Sequence, residues 1–113
     1  MERPPEVITI GAIRFDTLRK VVSRDDKTIR LTLIECRVLH LLAMNVNNVC
    51  TASQIIAHVW ESGTADDQGV LLLKQYIRHI RYKIEPDSMN PTYIVTVPQI
   101  GYKLVIPDVS KNT

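Results

Sequence analysis

The stretch Asp67–Glu85, DQGVLLLKQYIRHIRYKIE, decides how this chain is read. Projected at about 100° per residue it separates into two faces. Leu73, Ile77, Ile80 and Ile84 fall on one stripe with Val70 beside them, and Lys74, Arg78 and Arg81 fall on another, flanked by Gln75 and Tyr82. From Lys74 to Lys83 there are four formal positive charges and no acid. An ordinary solvated helix face intersperses Glu with Lys, so a polar face of one sign needs a reason. Three readings fit the helix alone: a core helix with a solvated basic face, a basic helix lying on a membrane surface, and a helix in the major groove of DNA. In the last, Arg and Gln meet base edges and Lys meets phosphates. The flanking sequence has to choose.

Upstream, Glu61 to Gly69 is polar and contains Gly63 and Gly69, so it is expected to be a loop. Before it, Thr51-Ala-Ser-Gln54 is a capping box: the Thr hydroxyl accepts from an early helical amide and Gln54 reaches back to the cap. The short helix it opens carries Ile55, Ile56, Val59 and Trp60 inward. Trp60 reads as the edge of the core, with a phosphate contact through its indole N–H as the other option. Thr32-Leu-Ile-Glu35 is a second capping box, and Cys36, Val38, Leu39, Leu41 and Leu42 behind it form a wide apolar face. His40 is expected at the rim, and His58 has no partner in view.

The segment from Val7 to Leu31 is rich in β-branched residues and broken by Gly11 and by Asp25-Asp26-Lys27. It predicts short strands at Val7–Ile10, Ile13–Phe15, Lys20–Ser23 and Thr28–Leu31, in a small antiparallel sheet. Adjacent turn acids such as Asp25 and Asp26 are solvated as a rule and make a poor catalytic pair. Downstream, Pro86 stops the basic helix. Tyr93–Val97 and Tyr102–Ile106 then read as two strands joined by Pro98-Gln-Ile-Gly101, with the glycine available for a positive φ. The order is sheet, helix, helix, loop, basic helix, hairpin: an α+β winged helix-turn-helix, with a four-stranded sheet, a three-helix core and a C-terminal β-hairpin wing.

Composition sets the bounds. At 113 residues the chain is one domain with one modest core, and 45% hydrophobic residues are normal for a globular protein. Residues 1–6 are expected to be a flexible linker remnant and 107–113 a polar tail. No apolar run approaches the roughly 20 residues of a membrane span, and MERPPEV does not read as a signal peptide. The net charge of +2 is too small to imply nucleic acid by itself, so only its clustering counts. Cys36 and Cys50 have neither disulfide-scaffold nor metal spacing, and the chain reads as cytoplasmic. No Ser/His/Asp, Cys/His or metal constellation is visible, which argues against an enzyme.

Four motifs together resemble the OmpR/PhoB-type winged-helix effector domains of bacterial response regulators, over Val7 to Ile106. They are Leu31-Thr32-x-x-Glu35, Val59-Trp60, Leu73 through Pro86, and Asn90-Pro-x-Tyr-Ile-x-Thr-Val97 followed by Gly101-Tyr102-Lys-Leu104. The resemblance implies a DNA-binding domain with no catalytic activity and no cofactor. Base-reading positions would fall on Lys74, Gln75, Arg78 and His79, with Arg81 and Tyr82 nearer the backbone; Lys83, like Arg81, is expected to support binding to any sequence. Thr96, Tyr102 and Gln99 would be the wing contacts. Glu61, Ser62, Thr64, Asp66 and Asp67 would lie in the loop that meets RNA polymerase. It further implies an upstream receiver domain and pairs of copies bound to promoter direct repeats.

Two departures stand out. The wing tip has Pro98-Gln99 where Arg-Gly is common, and Lys74 stands where many members have an acid. The membrane-anchored ToxR/CadC-like activators share this domain, which offers a downstream membrane helix as an alternative architecture. A winged-helix protein-interaction module that does not bind DNA is the other alternative.

Overall fold

A computed structural model describes residues 6–60 and 66–107. The first four strands form a meander: β1 (Val7–Ile10), β2 (Ile13–Asp16), β3 (Val21–Arg24) and β4 (Lys27–Arg30), each antiparallel to the next. Register puts Ile8, Phe15, Val22 and Ile29 side by side across all four strands. This row is the apolar face of the sheet, with Phe15 fully buried. The alternate row of Thr9, Arg14, Ser23 and Thr28 faces outward, as the two-residue period of a strand requires. Arg24 pairs with Lys27, so the turn is Asp25-Asp26 alone, with Asp25 at φ 56°. Lys27 was expected in the turn and instead starts β4. Lys20 was expected to open β3, but it turns the chain at φ 58° and the strand starts one residue later.

Both capping boxes form. Thr32 Oγ1 accepts from Glu35 N at 3.2 Å while Glu35 Oε1 accepts from Thr32 N at 2.9 Å, opening α1 (Leu33–Met44). Thr51 and Gln54 repeat the exchange at 3.1 and 2.9 Å and open α2 (Ala52–Val59). The third helix, α3 (Asp67–Ile84), is capped by Asp66, whose carboxylate accepts from Gly69 N at 2.8 Å. Asp67 in its first turn and Arg81 and Lys83 in its last match the helix dipole. Leu73, Ile77, Ile80 and Ile84 are the fully buried stripe of α3, and burying each contributes about 2 kcal/mol. The helix ends at Ile84 because Glu85 precedes Pro86 and adopts extended backbone at ψ 140°. Arg24 from β3 donates to the Ile84 carbonyl at 3.0 Å and ties the sheet to that end.

The wing is a three-stranded sheet, one strand more than the sequence predicts. Its order is β5 (Cys50–Thr51), β7 (Gly101–Leu104), β6 (Ile94–Val97). Cys50 faces Tyr102 and Thr51 faces Gly101 across the β5–β7 ladder. The glycine in the hairpin therefore has a different job from the one expected. Gln99 carries the positive φ of the turn, at 66°, and Gly101 is needed for close approach. A Cβ at Gly101 would lie 2.0 Å from the Cys50 carbonyl oxygen and 2.8 Å from Thr51 Cα, both backbone atoms that cannot step aside. Gly101→Ala should therefore lower unfolding free energy by about 3 kcal/mol or prevent folding, as a urea titration would read. An unchanged midpoint would contradict this packing.

Candidate nucleic-acid interface

The outer face of α3 is uncovered. Lys74, Gln75, Arg78, His79 and Tyr82 are all exposed, and Tyr82 retains 80% of its surface. Among the described residues neither Lys74 nor Arg78 has an ion pair or a side-chain hydrogen bond. The wing flanks this face: Val70, Lys74, Thr96, Gln99 and Tyr102 line one open cleft between helix and hairpin. Gln99 is exposed at the tip between Pro98 and Ile100. A cationic, solvent-facing helix with a β-ribbon beside it is a surface shaped to seat a polyanion.

The remaining two basic residues of α3 are occupied by the fold. Arg81 is half-buried; its guanidinium donates to the Ile94 carbonyl at 3.2 and 3.0 Å and to Thr96 Oγ1 at 2.8 Å, and it lies 5.9 Å from the Tyr102 ring centroid. Desolvation lowers its pKa, opposed by Tyr102 and Glu85. Burial in turn raises the Tyr102 phenol, opposed by Arg81. Arg81, Thr96 and Tyr102 thus form one internal cluster that fixes the wing against the helix.

Lys83 departs from the expectation of a general DNA contact. Its ammonium donates to Glu35 Oε1 at 2.6 Å and to the Arg30 carbonyl at 3.0 Å. Glu35 is buried, so this pair joins α3 to the start of α1. His79 stays exposed, 4.0 Å from Glu35 Oε2 through Nδ1 and edge-on to Tyr76. Trp60 is half-buried at the end of α2, tilted against Tyr76 with ring centroids 5.8 Å apart, which supports the core-edge option. Of the expected polymerase-facing residues, Glu61, Ser62 and Thr64 lie outside the described residues. Asp66 and Asp67 are the cap and first residue of α3.

Glu85 is a structural centre that no sequence motif marks. It is 4% exposed, yet its carboxylate accepts from Thr92 N at 2.8 Å, Tyr93 N at 3.0 Å and Ile94 N at 2.8 Å. Three backbone donors compensate a buried charge. The only signal in the sequence was an acid placed directly before Pro86, where the helix has to stop.

These features define a winged-helix domain with an open recognition-type helix. The family model described as "Transcriptional regulatory protein, C terminal" matches residues 25–104. The chain belongs to that family, the OmpR/PhoB-type DNA-binding effector domains of response regulators. It is 39% identical over 98 residues to the sensory transduction protein RegX3 of Mycobacterium tuberculosis, covering 87% of this chain and 42% of RegX3. It is 28% identical over 103 residues to the KDP operon transcriptional regulatory protein KdpE of Escherichia coli K12, covering 91% of this chain and 45% of KdpE. The chain therefore spans less than half the length of these relatives.

Among solved structures, the DNA-binding domain of E. coli CadC superposes with TM-score 0.77 at 25% identity, covering 94% of this chain and 96% of that one. The Thermotoga maritima response regulator DrrB, an OmpR/PhoB homolog, gives 0.76 at 27% identity, over 88% of this chain and 44% of DrrB. The family is one of transcription regulators and not of enzymes. Among the described residues no helix is long and apolar enough to cross a membrane.

Two outcomes follow from this geometry. Lys83→Ala strips a buried carboxylate of its nearest cation, so it should cost about 3 kcal/mol in a urea titration while the outer face of α3 is unaltered. A variant with native stability and reduced affinity for random duplex would instead restore Lys83 as a DNA contact. Burial raises the thiols of Cys36 and Cys50 as well as the Tyr102 phenol. The unfolded chain then releases these protons first, so stability is full below about pH 8.5 and falls as pH rises through the folded values. Thermal melts between pH 7 and 10.5 should show that decline; a flat profile would contradict it.

Proposed function

We propose that this chain is the sequence-specific double-stranded DNA-binding part of a bacterial response regulator acting in the cytoplasm. The observation that carries the reading is the outward stripe of α3, whose Lys74, Gln75, Arg78 and His79 are uncovered next to a hairpin wing. In the major groove an Arg suits guanine O6 and N7 and a Gln suits adenine N6 and N7, each good pair being worth about 1–3 kcal/mol of discrimination. Arg78 and Gln75 take these roles with Lys74 and His79 as the other base-reading positions, Tyr82 sits nearer the phosphates, and the tip at Gln99 meets the backbone without an arginine for the minor groove. Arg81, Thr96 and Tyr102 act mainly by holding the wing in place, with any contact to phosphate secondary.

The relatives are more than twice as long as this chain, which supports a receiver domain in the parent protein. The same relatives favour that architecture over a membrane-anchored one. Few outward cations per copy mean weak, salt-sensitive binding by one domain. Two copies on a direct repeat would then supply most of the affinity. The segment from residue 61 to Asp67 is the surface proposed for RNA polymerase.

Arg78→Ala tests the reading. Its affinity for a duplex selected from a random pool should fall by tenfold or more, while affinity for mixed duplex changes little. Equal loss on both would remove Arg78 from base reading. Absence of any duplex binding by the native chain at low salt would favour a protein-interaction module.

A further inference from the structure

Leu71 is 58% exposed on the outer face of α3, with Leu72 beside it 41% exposed. The core stripe of α3 is Leu73, Ile77, Ile80 and Ile84. At about 100° per residue Leu71 points away from that stripe, in line with Gln75, Arg78 and Tyr82. Val70 packs against the hydrophobic core from the side, whereas Leu71 is not among the residues that do. Leu71 is also near the start of α3, whose first residue is Asp67. The N-terminal part of a recognition helix is the part that meets base edges. A leucine there can neither donate nor accept a hydrogen bond. Among the groups displayed in the major groove, the C5-methyl of thymine is the one that suits it.

We propose that Leu71 is a specificity-determining residue that packs on a thymine methyl. The inference rests on α3 being the recognition helix. It also fixes a spacing. Leu71 and Gln75 are four residues apart, about 6 Å along the helix axis, and stacked bases are about 3.4 Å apart. The thymine therefore lies within about two base steps of the base that Gln75 meets.

The test uses the 113-residue chain and its best duplex from random-pool selection. Each thymine is replaced in turn by deoxyuridine, which removes the methyl and keeps the hydrogen-bonding edge. One replacement should weaken native binding by about fourfold, the effect of losing one buried methyl-sized group. Leu71→Ala should bind the thymine and deoxyuridine duplexes equally, with an unchanged melting temperature because the side chain is exposed. Leu71→Ala retaining the fourfold difference would overturn the proposal, as would indifference of the native chain to every replacement while it still prefers its site over random duplex. A native chain that binds selected and random duplexes alike would instead sink the recognition-helix reading, and Leu71 with it.

Discussion

The carboxylate of Glu85 receives the backbone N–H groups of Thr92, Tyr93 and Ile94, and the arrangement of helix and wing depends on that convergence. An ionised acid removed from water is costly unless hydrogen bonds replace its solvation. Here the replacements come from the segment that becomes β6. Ile94 is held from both sides: its N–H donates to Glu85 and its carbonyl accepts from Arg81. Both side chains belong to the last turn of α3 or its cap. The helix end and the strand start are thus one hydrogen-bonded unit, and the hairpin cannot swing without breaking charged contacts.

That coupling divides the basic residues of α3 into two kinds. Arg81 and Lys83 turn inward, toward the Ile94 carbonyl and toward buried Glu35. Lys74 and Arg78 are exposed on the outer side. The charge offered to a partner is smaller than the helix's count of cations implies, and it is better placed. A ridge whose neighbours are locked gives up little conformational freedom on binding, which favours specificity over raw attraction.

Much of this was legible in the chain. The capping boxes at Thr32 and Thr51 are local patterns and formed as expected. The core stripe of α3 followed from periodicity alone. What was hidden depended on contacts between distant residues. β5 is two residues long and exists only because Gly101 lets its backbone approach Cys50, so no local pattern announces it. Lys83 read as a general DNA contact because its partner Glu35 is 48 positions away in sequence. Glu85 carries no local mark of its role, since its three donors lie seven to nine residues later, at the entry to β6, and meet it only once the chain has turned back.

Amide hydrogen exchange at Thr92, Tyr93 and Ile94 tests the coupling most directly. If Glu85 binds helix and wing into one unit, these three amides should exchange with the same opening free energy as the core amides of Ile77 and Ile80. Exchange through a separate low-energy opening, hundreds of times faster than those helix amides, would show that the wing moves independently of α3.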